Sequence, residues 1–182
     1  MGAGHDGVMT VTRLVRPDDA ASLARLLTDN RDFLAPTEPY RDESYYSEAG
    51  QREVVDDLLA KHDAGASLPH VILDDQGELV GRITLNEIVR GPSQSSSVGY
   101  WVAQSVNGRG IATAALARIA EVAFDDLGLH RLQAGTLEDN FASQKVLARN
   151  GFQRFGIAPA YLKIAGRWQD HILWQRLTPH PD

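Results

Sequence analysis

The 182-residue sequence contains no cysteine. Its absence excludes disulfide bonds, cysteine nucleophiles, acyl-cysteine intermediates and thiolate metal sites. The chain also lacks any run near the roughly 20 apolar residues that cross a bilayer. Its polar start, residues 1–7, has neither the basic nor the apolar region of a signal peptide. We therefore expect no membrane segment and no secretion, which leaves the cytoplasm as the default compartment.

Positive charge is also in deficit, because 18 Lys and Arg residues stand against 24 Asp and Glu residues, for a formal net charge of −6. This balance argues against general nucleic-acid binding, which needs a basic patch. It suits a cationic partner such as an amine or a basic protein tail. The histidines show no metal-ligand spacing, so no metal is predicted.

The length predicts one domain, and no repeat, low-complexity tract or linker divides the chain. We expect residues 1–8 to be a disordered terminus and residues 9–178 to form the domain. Apolar periodicity and turn residues predict the order βααβββαβαββ. Strands are predicted over residues 10–15, 70–73, 79–89, 98–103, 131–136, 152–164 and 168–177, and helices over 18–28, around 54–59, 110–127 and 141–149. This order predicts an α/β fold with a mixed central sheet flanked by helices.

Residues 30–50 form a long polar segment between the first two helices. Connections of this length are more often functional than passive. The segment contains three tyrosines and the acids Glu38, Asp42 and Glu43, which predict an acceptor lid that attracts a positively charged peptide N-terminus. The alternative is a solvated loop whose aromatic rings pack on the domain.

The most informative stretch covers residues 100–113, where a strand enters a glycine-bearing turn that opens a long helix. The first N–H groups of a helix have no internal partner and lie at its positive end. Gly108 and Gly110 would let a pyrophosphate approach, and Arg109 adds a cation, so the turn predicts a phosphate site. An ordinary tight turn is the alternative. No Gly-Lys-Ser/Thr triplet supports a P-loop, and the dinucleotide fingerprint also fails.

A second motif follows downstream and makes the pattern specific. The pair N-G-R-G-I-A, from Asn107 to Ala112, and N-x-x-S…N-G-F, with Asn140, Ser143 and Asn150, resembles the acyl-CoA site of the GNAT superfamily of N-acetyltransferases. The resemblance implies a single GNAT domain that transfers acetyl from acetyl-CoA directly to a primary amine, with no metal. The absence of cysteine agrees with this chemistry, because no acyl-enzyme is needed.

The resemblance also implies roles for individual residues. Asn107 departs from the family turn, which usually begins with Gln or Arg. Ser143 would protonate the departing thiolate, although a serine is also ordinary at a helix start. Apart from the resemblance, the position of Glu87 in an apolar strand makes it a candidate base, with a solvated face as the alternative. The implied acetyl-CoA-binding residues are Trp101, Val102, Ala103, Asn107, Gly108, Arg109, Gly110, Ile111, Ala112, Thr113 and Asn140.

Other segments, notably residues 30–44 and 161–173, resemble the bacterial RimJ/RimL branch, which acetylates ribosomal-protein N-termini. The expected acceptor is therefore the N-terminal alanine or serine of a ribosomal protein. Two alternatives stay open: a small amine such as a polyamine or an amino-bearing antibiotic, and a non-catalytic acyl-CoA-binding module. The sequence does not separate a monomer from a homodimer.

Overall fold

A computed structural model describes residues 11–179. This part of the chain contains seven strands and five α-helices. They are β1 (Thr12–Leu14), α1 (Ala20–Asp29), α2 (Arg31–Leu34), α3 (Glu48–Asp63), β2 (Leu68–Leu73), β3 (Leu79–Val89), β4 (Ser95–Val102), α4 (Ile111–Glu121), β5 (Arg131–Leu137), α5 (Phe141–Arg149), β6 (Gln153–Ile164) and β7 (Arg167–Leu177).

All seven strands form one sheet in the order β1-β2-β3-β4-β5-β7-β6. β4 and β5 run parallel, and the other neighbouring strands run antiparallel. The parallel pair is joined through α4, since parallel neighbours need a crossover rather than a hairpin. The predicted mixed sheet is therefore confirmed.

The helices cover both faces of the sheet because successive strand residues point to opposite sides. Ile72 belongs to a core with α4 and α5, whereas its neighbour Val71 belongs to a second core with α1 and α3. Trp101 on β4 lies in the second core, while Val102 packs against the first. The two residues that end β4 thus face opposite layers.

Most predicted boundaries agree with the structure to within a few residues. β4 begins at Ser95 rather than residue 98, because residues 95–97 pair with β5. Asp19 stands at the N-cap position of α1, but its side chain makes no capping hydrogen bond to that helix. The Asp19 carboxylate instead binds the Arg13 guanidinium at 2.7 and 2.8 Å and accepts the backbone N–H of Arg16. Residues 1–8, expected to be a disordered terminus, lie outside the described residues.

The polar segment after α1 has more regular structure than a loop. It contains α2 and a 3₁₀ turn over Glu43–Tyr46. Asn30 joins this segment to the far end of β4, because its side-chain oxygen accepts the backbone N–H of Gln104 at 2.7 Å. No helix within residues 11–179 is both long and apolar enough to cross a membrane.

Candidate active site

The glycine turn that follows β4 has the geometry of an anion cradle. A 3₁₀ turn over Gln104–Val106 precedes it, and α4 begins at Ile111. Gly108 and Gly110 have φ angles of +78° and +84°, a region that side chains rarely adopt. Gly110 stands at the helix N-cap, and no side chain caps it. The first amides of α4 are therefore available to a ligand.

A cavity of about 420 Å³ lies in front of this turn. The turn and the start of α4 form one wall, and one face of α5 forms the other. Two cations of α5, Lys145 and Arg149, line this cavity one helical turn apart. The lining residues are Val102, Val106, Asn107, Gly108, Gly110, Ile111, Ala112, Thr113, Ala142, Lys145, Val146 and Arg149.

Two asparagines fix the helices that form these walls. The Asn140 side chain accepts the N–H of Ser143 at 3.1 Å and so caps α5. At the other end of α5, the Asn150 amide donates to the carbonyls of Thr113 and Val146 at 3.2 and 2.9 Å. Asn150 thus ties the last turn of α5 to the first turn of α4, which fixes the width of the cavity.

β4 and β5 separate beside the cavity. Their pairing stops at Ser97 and Gln133, although β4 continues to Val102 and β5 to Leu137. The N–H of Ala103 donates to Val80 on β3 at 2.8 Å. Because successive residues of an antiparallel strand turn their amides to opposite neighbours, the amide of Val102 points into the gap between β4 and β5.

Tyr100 and Ser143 meet at the wall of this gap. Their hydroxyl oxygens lie 2.8 Å apart, and the Tyr100 hydroxyl also donates to the Ser143 carbonyl at 3.3 Å. Burial raises the pKa of Tyr100 to about 12, and the hydrogen bond with Ser143 only partly offsets this effect. Tyr100 is therefore a neutral phenol at pH 7 that can keep the Ser143 hydroxyl in place.

A strand that splays from its parallel neighbour, beside an uncapped helix start facing two cations, suits an acyl-CoA ligand. A family model described as an acetyltransferase (GNAT) domain matches residues 10–153. The chain belongs to the GNAT acetyltransferase family. The expected fold and the expected acetyl-CoA-dependent enzyme class are both confirmed.

Relatives of this GNAT acetyltransferase match nearly its whole length. The [ribosomal protein uS5]-alanine N-acetyltransferase of Escherichia coli is 34% identical over 170 residues, which cover 93% of this chain and 88% of that one. The probable N-acetyltransferase YjcK of Bacillus subtilis is 34% identical over 92% and 95%. The structure of Mycobacterium smegmatis RimJ in complex with CoA-disulfide is 36% identical, with a TM-score of 0.88 over 91% and 80%.

The cavity fits the coenzyme that the family uses. A Cβ built on Gly108 or Gly110 would meet no atom within 4 Å, so the turn opens onto free space where a diphosphate can reach the backbone. Lys145 and Arg149 supply positive charge on the facing wall. When bound there, acetyl-CoA supplies an activated acetyl group as a thioester.

Four of the predicted coenzyme residues, Trp101, Ala103, Arg109 and Asn140, do not line the cavity. The Trp101 side chain packs with Leu27 and Leu34 on the opposite face of the sheet. The amide of Ala103 is engaged with β3, so Val102 alone of this pair can offer its N–H to the thioester. The Arg109 side chain is 54% exposed and lies 3.8 Å from Asp75.

Glu87 stands apart from both the turn and α5. It is exposed, with a φ of +51°, in a stretch of β3 where the register with β4 shifts. The strand residues that line the cavity lie at the opposite end of the β3–β4 pair, since Gly81 stands opposite Val102. Glu87 therefore lies on a solvated face, which was the alternative to its role as the base.

A second cavity, of about 250 Å³, lies on the α1–α3 face of the sheet. We call it the acceptor-side cavity. α1, α2 and residues 35–46 form its walls with the β6–β7 turn. Its lining residues are Leu27, Arg31, Asp32, Leu34, Ala35, Glu38, Pro39, Tyr40, Arg41, Tyr45, Tyr46 and Ala165. Two of them, Leu27 and Leu34, belong to the same core cluster as Trp101. Trp101 therefore faces the layer that contains this cavity, whereas Val102 lines the coenzyme cavity on the other face.

The three acids of the predicted lid have different surroundings. Glu43 pairs with Arg31 at 2.5 Å, so its charge is neutralised. Asp42 is exposed. Glu38 lines the acceptor-side cavity, and burial raises the pKa of its carboxyl although the positive charges of Arg41 and Arg82 lower it. Glu38 is therefore the lid acid whose protonation state the cavity controls.

Sequence reasoning missed three of these features: Lys145, Arg149 and the hydrogen bond between Tyr100 and Ser143. Lys145 and Arg149 were detectable, because their spacing of four places both on one face of α5. The bond between Tyr100 and Ser143 spans 43 residues, and no local pattern announces it. Within residues 11–179, no group of three or more His, Asp or Glu side chains could hold a metal ion.

Proposed function

We propose that this GNAT acetyltransferase acetylates a protein α-amine, that of an N-terminal alanine or serine of a ribosomal protein. The observation that carries the proposal is the pair of cavities on the two faces of the sheet: Val102 lines the first, and its neighbour Trp101 faces the layer that contains the second. This arrangement lets a thioester and an amine approach the same strand end from two sides. The E. coli relative, named for the alanine of uS5, supports this choice of acceptor.

The acceptor amine attacks the thioester carbonyl directly. One C–N bond forms, the C–S bond breaks, and the thiolate must receive a proton. Positioning two substrates in this way contributes roughly 7–11 kcal/mol to the rate. The Val102 amide, which points into the gap between β4 and β5, can donate to the developing oxyanion. The Ser143 hydroxyl, held by Tyr100, can donate the proton to sulfur.

An α-amine fits this site better than a lysine side chain. Its pKa is about 8, so a useful fraction is neutral at pH 7, whereas a lysine ammonium with a pKa of about 10.4 is almost wholly protonated. We also infer a cytoplasmic enzyme, since ribosomal-protein substrates are made there. A monomer and a homodimer both remain compatible with the proposal.

The test is a thiol-release assay with acetyl-CoA and a panel of acceptors. The panel contains ribosomal-protein N-terminal peptides beginning with Ala or Ser, the same peptides with blocked N-termini and an internal lysine, and spermidine. We expect kcat/KM for the free Ala or Ser peptides to exceed the others by at least tenfold. Preference for spermidine would show that the acceptor is a small amine rather than a protein N-terminus. Coenzyme A binding without thiol release for any acceptor would indicate a binding module.

A further inference from the structure

Glu38 occupies a fixed position in the wall of the acceptor-side cavity. Its side chain is half-buried and lines the cavity. Its backbone carbonyl accepts the N–H of Ala165 at 3.0 Å, which ties the segment to the β6–β7 turn. The backbone that carries this side chain is therefore already ordered when substrate arrives.

The charges around Glu38 leave its carboxylate available to a ligand. No ion pair within 4.0 Å engages it among residues 11–179, unlike Glu43, which Arg31 neutralises. Arg41 Nε and Arg82 Nη1 are buried and lack a hydrogen-bond partner. The charged and titratable groups around it are Arg41, Arg82, Arg31, Asp32, Tyr40, Tyr45 and Tyr46.

Glu38 is also linked to the strand end where the acetyl group arrives. Arg82, whose charge acts on Glu38, stands on β3 directly opposite Trp101 on β4. The next residue, Val102, lines the coenzyme cavity on the other face. The carboxylate therefore lies on the acceptor face of the sheet, near the end of β4 that borders the coenzyme.

We propose that Glu38 binds the α-ammonium group of the acceptor and accepts its proton before acyl transfer. The proposal rests on the function proposed above. One N–H bond of the ammonium breaks, and its proton moves to a Glu38 oxygen. The nitrogen lone pair then forms the C–N bond as the C–S bond breaks. The second amine proton replaces the proton that Ser143 gives to the thiolate. Glu38 releases the first proton to water after turnover.

The test compares Glu38→Gln with wild type across pH 6–9.5, using the preferred N-terminal peptide. About 90% of an α-amine with a pKa of about 8 is protonated at pH 7. We therefore expect kcat/KM of Glu38→Gln to fall about 10- to 100-fold at pH 7. The deficit should shrink severalfold above pH 9, where the amine is already neutral. Glu53→Gln, the same change at an exposed position of α3, is the matched control and should behave as wild type.

A second variant keeps the proposal testable if Glu38→Gln folds poorly. The Arg82 charge lowers the pKa of Glu38, so Arg82→Gln should raise that pKa and move the acidic limb of kcat/KM to higher pH. An unmoved limb would overturn the proposal. So would a Glu38→Gln deficit that is equal at all pH values, no deficit at all, or the pH-dependent deficit appearing in Glu87→Gln instead.

The outcomes also separate this inference from the proposed function. If wild type acetylates no α-amine, the proposed function fails. If wild type turns over and Glu38→Gln matches it, only the role of Glu38 fails. Coenzyme A affinity should be unchanged in Glu38→Gln, because its cavity lies on the other face.

Discussion

Gly110→Ala tests the cradle most directly, because the substitution separates backbone strain from ligand contact. Gly110 has a φ of +84°, and a Cβ there would meet no protein atom within 4 Å. An L-residue in this conformation costs roughly 1–2 kcal/mol. Alanine also restricts the unfolded chain more than glycine does, which stabilises the folded state by about 0.4–1 kcal/mol. We expect a net loss of about 1 kcal/mol in the free energy of unfolding, which lowers Tm by about 2–4 °C at this chain length.

The effect on coenzyme binding should be larger than the effect on stability. The new methyl group projects into the free space that the coenzyme diphosphate must enter. Overpacking of a fitted site by one methyl group costs about 1–3 kcal/mol. Isothermal titration with coenzyme A should therefore show Kd raised about 5- to 150-fold.

Gly65→Ala is the matched control. Gly65 follows α3, has a φ of +71°, and also leaves an added Cβ in open space. It should lose the same stability and keep wild-type affinity for coenzyme A. Wild-type affinity in Gly110→Ala would refute the placement of the cradle. Equal losses of affinity in both variants would show that strain, rather than contact, weakens binding.

Three further perturbations test the walls of the coenzyme cavity, the proton donor and the half-buried His70 of β2. Lys145→Met and Arg149→Met should each raise the Kd of coenzyme A severalfold at low salt, and the loss should shrink as salt screens the charge; a salt-independent loss would contradict an electrostatic role. Tyr100→Phe should lower kcat about 3- to 10-fold without raising KM for acetyl-CoA, and add little to Ser143→Ala; additive losses would show that the two hydroxyls act independently. Burial lowers the pKa of His70 from 6.5 to about 4. Between pH 6.5 and 4, the unfolded chain therefore binds a proton at His70 that the native state does not bind. The free energy of unfolding should fall by up to about 3 kcal/mol as the pH is lowered through this range. His70→Gln should flatten that slope in urea titrations, and an unchanged slope would contradict the assignment.

Local chemistry explains which features the sequence could predict. Asn140 and its three-residue spacing to Ser143 specify a helix start, and the structure has that cap. Gly108 and Gly110 mark positive φ angles because other residues avoid them. The alternation of turns with apolar runs was enough to predict the mixed sheet, because the length of each connection permits few strand pairings.

The rest depends on side-chain direction and long-range packing. The apolar run at the end of β4 has no polar alternation, so the sequence did not tell which of Trp101 and Val102 faces which core. Glu38 was one of the three acids assigned to the predicted lid, and only the folded chain distinguishes the carboxylate that is half-buried from those that are exposed or paired with arginine. Likewise, nothing local shows where β4 and β5 stop pairing.

The two-sided arrangement around β4 also explains why this chain can manage without a covalent acyl carrier. A ping-pong enzyme stores the acyl group on a nucleophile, because one site serves both substrates in turn. Here no cysteine is present. Under the proposed function, the coenzyme and the acceptor each have a cavity of their own, one on each face of the sheet. Both can then be present together, and the strand end between them is where direct transfer becomes possible.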